Sequence, residues 1–243
     1  MFKKKFLEEH KLNEIYVLKN LIYNIISKEK NLALIQNSEL NRVYSLIVAD
    51  RFNLIIPQFL VTNFKDELLN FFDEYKKIIN KPLGNDIYHV ENNKLYSTKI
   101  KILSKMDIQK LPAKFFPSLF LQYVDKKYEV RSFFLLGKFY SMAIMSQSNS
   151  KTKIDFRNYD RNFPNRYAPY ELPNDIRIKL KRVINHFKLK TCSIDLLINK
   201  KGEYVFLEIN PVGQFTFLNN PCNYYLEKKI AIVVKNMLNH ESI

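Results

Sequence analysis

Apolar positions recur along the chain at two spacings, and the change from one to the other divides it into segments. Up to Ile35 the pattern is helical with interleaved charges, too little for a domain of its own. LNRVYSLIVADRFNLIIPQFLVTN then reads as a helix, a tight connection and short apolar strands around Pro57. In KDELLNFFDEYKKII, residues Leu68, Leu69, Phe72, Tyr75 and Ile79 fall at helical spacing, with Thr62 or Asn63 as N-cap, and a strand into Lys81 and Pro82 closes an αβ unit. From Asp86 to Met145 the runs DIYHV, KLYSTKIKI, LFLQYV, EVRSFFLL and KFYSMAIM predict mostly antiparallel strands. A loop rich in Arg, Asn, Asp and Pro spans Ser146 to Pro173. The helix NDIRIKLKRVINHFKL, the hairpin SIDLLINKKGEYVFLEIN and the helix NYYLEKKIAIVVKNML complete the chain.

Composition narrows this picture only in places. A chain of 243 residues holds one large domain or two small lobes, and 47% hydrophobic with 26% charged residues is the make-up of a folded chain. The formal net charge of +15 suits an anionic partner, which could be nucleic acid, a nucleotide, an acidic peptide or a membrane surface. Lysines spread over almost every segment, with many Asn and Ile, fit a compositional bias of the source genome equally well. Cys192 and Cys222 form no CxxC pair and are too few for a disulfide scaffold, so a reducing cytoplasm is expected. The four histidines show no metal-ligand spacing. Apolar runs such as Ile230 to Val234 fall well short of the ~18 residues that cross a bilayer, and MFKKKFLEEH lacks the apolar core of a signal peptide. The four glycines stand too far apart for a Walker A loop or a GxGxxG turn, so a nucleotide would be held another way.

The hairpin carries the candidate chemistry. With NKKG as its turn and Ile198 paired to Glu203, Asp195 stands opposite Phe206, and Asp195, Phe206, Glu208 and Asn210 share one face. Two carboxylates and a carboxamide are hard oxygen donors, suited to Mg²⁺ ions that keep waters and bind nucleotide phosphates. The apolar flanks from Ile194 to Leu197 and from Phe206 to Ile209 leave little exposed surface, and buried carboxylates without partners are costly, which favours a metal site over a solvated face. Lys81 ends an apolar strand before Pro82 and Gly84, either reaching a phosphate or standing as a surface lysine. Gln122, Tyr123 and Val124 would form an edge segment whose backbone reads an adenine, with Glu129 available for ribose hydroxyls, although any strand with alternating polar residues looks similar. Arg131, Arg157 and Arg166 offer planar forks for phosphate or carboxylate, or are solvated charges.

Taken in order, Lys81 with its turn, QYV with Glu129 and Arg131, DFRN, Asp195 and the strand pair Glu208 and Asn210 resemble the ATP-grasp superfamily. SQSNSKTKIDFRNYDRNFPNRYAPYELP, FLEINPVGQF and NNPCNYYLEKKIA narrow the resemblance to the ATP-grasp peptide maturases that make microviridin-like graspetides, in the grasp-with-spasm subgroup, over residues 39 to 238. The resemblance implies an α+β ATP-grasp fold, two α+β lobes clasping ATP, with a helical linker or remnant over 1–38, a small lobe over 39–118 and a large lobe with the metal site over 119–243. Relatives carry a preceding αβ domain, most of which is expected to be missing here.

The implied activity is a cytoplasmic ligase that uses ATP and two Mg²⁺ ions to activate Asp or Glu side chains of a ribosomally made precursor peptide as acyl phosphates. A hydroxyl or amine of the same peptide then closes an ω-ester or ω-amide ring. The partner is that peptide, with a leader and a core bearing acidic and hydroxyl groups; neither membrane nor nucleic acid is expected, and a homodimer is left open. By the same resemblance Arg42 and Lys81 bind phosphates, Gln122, Tyr123, Val124 and Glu129 bind adenosine, and Asp195, Glu208 and Asn210 bind metal. Arg131 and Arg157 stabilise the acyl phosphate, and Gly213 lets the backbone approach the reacting group. Arg42 stands where the family has a lysine, and a guanidinium fork is not a point charge. Two alternatives stand beside this one: a ligase adding free amino acids to a peptide or protein terminus, and a non-catalytic module binding nucleotide, leader peptide or nucleic acid.

Overall fold

A computed structural model describes residues 14, 15, 17, 18 and 21, then 40–83, 88–91, 94–97, 100–158, 160–211 and 213–238. Residues 14, 15, 17, 18 and 21 are helical; the rest of the helix expected before Ile35, and Gly84, lie outside the described residues.

Helix α1 (Arg42–Arg51) starts at Asn41, whose Oδ1 accepts a hydrogen bond from the Tyr44 amide at 3.0 Å. Strand β1 (Phe59–Phe64) runs directly into α2 (Lys65–Tyr75). Neither Thr62 nor Asn63 caps α2, because the helix begins only at Lys65; Phe64, the last residue of β1, is the N-cap, without a side-chain hydrogen bond. Asp66 and Glu67 in the first turn offset the positive end of the helix instead. Lys76, at φ 60°, ends α2, so Ile79 leaves the helix and joins β2 (Ile78–Lys81). The period of α2 therefore stops a turn earlier than its apolar residues suggest.

Strands β3 (Tyr88–Glu91) and β4 (Lys94–Ser97) pair with each other, and β5 (Lys101–Leu103) precedes α3 (Lys105–Gln109) and β6 (Lys114–Gln122). α3, absent from the periodicity reading, is set by a capping box between Ser104 and Asp107. These elements make a four-stranded antiparallel sheet in the order β1-β6-β2-β5. Leu68 and Phe71 of α2, Ile108 of α3, Ile78 and Phe120 pack together on one side of it.

The second sheet has five antiparallel strands. They are β7 (Lys126–Leu135), β8 (Lys138–Met145), β9 (Arg166–Tyr170), β10 (Thr191–Asn199) and β11 (Tyr204–Asn210), in the order β11-β10-β7-β8-β9. β9 falls within the stretch expected to be loop; its Pro169 is tolerated because β9 is an edge strand paired only to β8. Helix α4 (Asn174–His186) lies between β9 and β10. The helix expected from Asn223 begins at Leu226, as α6 (Leu226–Leu238), because Asn223 and Tyr225 both take φ 52°; a further helix that was not expected, α5 (Thr216–Cys222), precedes it.

One core joins the two sheets. Leu46, Val48 and Ala49 of α1, Leu119 and Leu121 of β6, and Leu180, Val183 and Ile184 of α4 meet Ile194, Leu196 and Phe206 on one face of the large sheet. The opposite face is shared: Phe133, Leu135, Met142 and Ile144 pack under Leu218 and Cys222 of α5, while Glu129 and Asp195 line a cleft, with Arg131 beside Asp195. No described helix is long and apolar enough to cross a membrane. Cys192 and Cys222 are free thiols, both buried.

Candidate active site

Strand register positions the charged groups. Arg131 of β7 stands opposite Asp195 of β10, and Asp195 opposite Glu208 of β11, so three charged side chains form one row across three strands. The hairpin register differs from the one expected: Ile198 pairs with Tyr204, Leu196 with Phe206, and Asp195 with Glu208 rather than Phe206. β11 carries one extra residue, Leu207, between those last two pairs. This bulge breaks the alternation, so Phe206 enters the core at 0% exposure while Leu207 and Glu208 both line the cleft. Asn210 pairs with Ser193, on the Glu208 face at the exposed end of β11.

The other lobe closes the cleft with cations. Lys81, the last residue of β2, is buried, and its Nζ lies 3.6 Å from Glu208 Oε2. Arg42, at the start of α1, places Nε 3.3 Å from the same oxygen and donates from Nη1 to the Pro82 carbonyl. It thereby bridges the turn after Lys81 to β11. Arg131 Nη1 lies 3.2 Å from both carboxylate oxygens of Asp195. Between the sheets, the Gln122 amide donates to the Gln58 carbonyl at 2.8 Å and the Tyr123 amide to the Lys77 carbonyl at 2.9 Å. Gln122, Tyr123 and Val124 are so held as one wall of the cleft.

Three participants escaped the sequence reading. Lys126, buried at the start of β7, looks in sequence like part of an exposed lysine run. Asp155 lines the cleft and grips Arg157 through two hydrogen bonds of 2.9 Å, from Nε to Oδ1 and from Nη2 to Oδ2. The DFRN stretch held that signal, since two residues apart suits a local carboxylate–guanidinium fork. Ser146, fully buried, donates to Glu129 at 3.0 Å. Arg166 is exposed at the start of β9. Gly213 stands outside the cleft lining, and its φ of +53° together with the Phe133 ring, 3.0 Å from where a Cβ would sit, gives it a packing reason to be glycine.

The electrostatics of the row are unequal. Burial would raise the Glu208 carboxyl, but Lys81, Arg42, Arg157 and Arg131 together hold it well below the usual carboxylate range. Burial pushes Asp195 up to about 6, opposed by Arg131 and reinforced by the Glu208 charge. Two facing carboxylates of this kind are relieved by a divalent cation, and Asn210 adds a neutral oxygen on the same face. Among the described residues no three His, Cys, Asp or Glu side chains form a metal cluster, so such an ion would complete its shell with oxygens from a ligand or water. Arg131 Nε is buried without an acceptor, and with Lys81, Arg42 and Arg157 it makes a set of cations around Glu208 suited to phosphate oxygens. The residues fit a polyphosphate with Mg²⁺.

No protein-family model matches the chain, and none of the curated proteins does. Solved structures match it closely in shape. A RiPP-associated ATP-grasp ligase of Chryseobacterium gregarium, in complex with ADP and a leader and core peptide, superposes with a TM-score of 0.79 at 21% identity, over 95% of this chain and 70% of that one. The macrocyclase MdnC of Microcystis aeruginosa, bound with precursor peptide MdnA, gives 0.76 at 23% identity, over 94% and 71%. The ATP-grasp ligase PsnB, complexed with a variant of its minimal precursor, Mg and ADP, gives 0.66 at 17% identity, over 82% and 59%. Two antiparallel sheets meeting at a cleft, with these superpositions over nearly the whole chain, show that the protein has the ATP-grasp fold.

Proposed function

We propose that the protein is an ATP-dependent, ADP-forming ligase that activates Asp or Glu side chains of a precursor peptide and closes ω-ester or ω-amide macrocycles. The observation that carries this reading is the Arg131–Asp195–Glu208 row facing Lys81 and Arg42 across one cleft. Neighbours whose structures hold ADP, Mg or a precursor peptide support it. Residues 39–118 would act as the small lobe and 119–243 as the large one, with β6 carrying the small sheet to Gln122.

Lys81 and Arg42 would neutralise phosphate oxygens, Gln122 to Val124 would meet the adenine along their backbone, and Glu129 would take the ribose hydroxyls. Two Mg²⁺ ions, held by Asp195, Glu208 and Asn210, would neutralise the triphosphate and the charge that develops on transfer. A peptide carboxylate oxygen attacks the γ-phosphorus and the bond to the β-phosphate oxygen breaks, releasing ADP and leaving an acyl phosphate. Arg131, beside Asp195, and Arg157, in the cleft wall, would stabilise that group. A hydroxyl or amine of the same peptide attacks the acyl carbon, loses its proton, and phosphate departs. The buried thiols of Cys192 and Cys222 suit a reducing cytoplasm.

The test is mass spectrometry of the acidic, hydroxyl-bearing peptide encoded beside the protein, after incubation with ATP and Mg²⁺. Loss of one water mass per ring is expected. A gain by one amino-acid residue would instead assign a ligase that extends peptide termini.

A further inference from the structure

We propose that Lys126 is a positioning residue that aims the Glu129 carboxylate at the ribose hydroxyls of a bound nucleotide. The proposal rests on the nucleotide reading above. Lys126 opens β7 with its side chain only 3% exposed, and a lone ammonium so far out of water is costly. Its Nζ donates to Glu129 Oε1 at 2.6 Å and to the Ile154 carbonyl at 3.0 Å. Ser146 Oγ donates to the same Oε1 at 3.0 Å. Among the described residues both hydrogen bonds to Glu129 arrive at Oε1, which leaves Oε2 for a ligand in the cleft that Glu129 lines. Accepting from a diol requires a carboxylate of fixed direction, and two donors on one oxygen fix it.

The second contact widens the role. Ile154 precedes Asp155, which grips Arg157, so one ammonium ties the wall beside Glu129 to the segment that presents Arg157. A lysine that only filled the core would stabilise the fold without favouring one sugar over another. The discriminating readout is therefore the ratio of affinities for ADP and 2′,3′-dideoxy-ADP, taken by calorimetric titration with Mg²⁺ on the full chain.

Wild type is expected to prefer ADP by about tenfold, the worth of a hydrogen bond to a charged group. Lys126→Met should bring the ratio near one, mostly by weakening ADP, and Lys126→Arg, which keeps the charge, should restore part of it. If thermal unfolding shows that Lys126→Met does not fold, Lys126→Gln takes its place with the same expectation. Wild type that binds ADP, alongside a folded Met or Gln variant keeping the wild-type ratio, overturns the proposal alone. Wild type that binds no ADP overturns the nucleotide reading and this proposal with it.

Discussion

A carboxylate taken out of water keeps its charge only where cations or donors face it, and the cleft shows two solutions. Glu208 faces Lys81 of β2 and Arg42 of α1, whereas Asp155 relies on its own neighbour two residues on. Burial alone would raise the Asp155 carboxyl, but the Arg157 hydrogen bonds and charge lower it below its ordinary value. A lowered folded-state pKa means stability that is present above the unfolded value and is lost as pH falls through the folded one. Asp155→Asn should therefore melt lower than wild type at pH 7, with the gap narrowing below about pH 4. The gap should be no more than about 1 kcal/mol, because Arg157 is 42% exposed and its charge is screened. Equal gaps at pH 7 and pH 3, measured by thermal unfolding, would show that the pair contributes no charge-linked stability. At this scale the residue types were legible but their partners were not, since Arg131 meets Asp195 through a register that spans 64 positions of sequence.

Elements were legible where local chemistry and tertiary packing agreed. The alternating runs from Lys114 to Met145 and in the final hairpin became strands because each has an apolar set to bury on one face. β9 was hidden by Pro169, which a central strand would exclude and an edge strand accepts. The bulge at Leu207 was hidden for a different reason: period-two counting assumes that Phe206 and Glu208 share a face, and one extra residue sends them to opposite sides. That bulge lets the same strand fill the core and present a ligand. The end of α2 shows a smaller device, since Lys76 holds a left-handed conformation so that β2 can begin and deliver Lys81 to the cleft. Lys76 is exposed, so Lys76→Gly should relieve the strain and raise stability by about 0.5–1 kcal/mol in urea unfolding. A loss of stability would show that the lysine side chain contributes more than its backbone conformation costs.

At the scale of the molecule, the two sheets share a core through α1 and β6, so the cations of one lobe are set against the carboxylates of the other by packing rather than by charge alone. The order of motifs in the sequence pointed to this fold, and superposition on solved ATP-grasp structures bears it out. The fold is shared even where identity is 21%, because the buried apolar positions that pack its helices and sheets tolerate exchange among residues of similar volume. Less legible was the small lobe's reach across the cleft, since nothing local in the sequence tells Arg42 that it will meet both Pro82 and Glu208. The net charge of +15 gains a local meaning here, for part of it converges on the cleft while the rest is spread over the surface. Glu208 is central to the cleft, opposite Asp195 and within reach of both Lys81 and Arg42. The direct measurement is ADP release from ATP and Mg²⁺ with and without the neighbouring-gene peptide, in wild type and in Glu208→Gln. Peptide should accelerate release by wild type and the variant should lose at least about a hundredfold of that rate while folding normally; release that ignores the peptide, or persists undiminished in Glu208→Gln, would contradict the account.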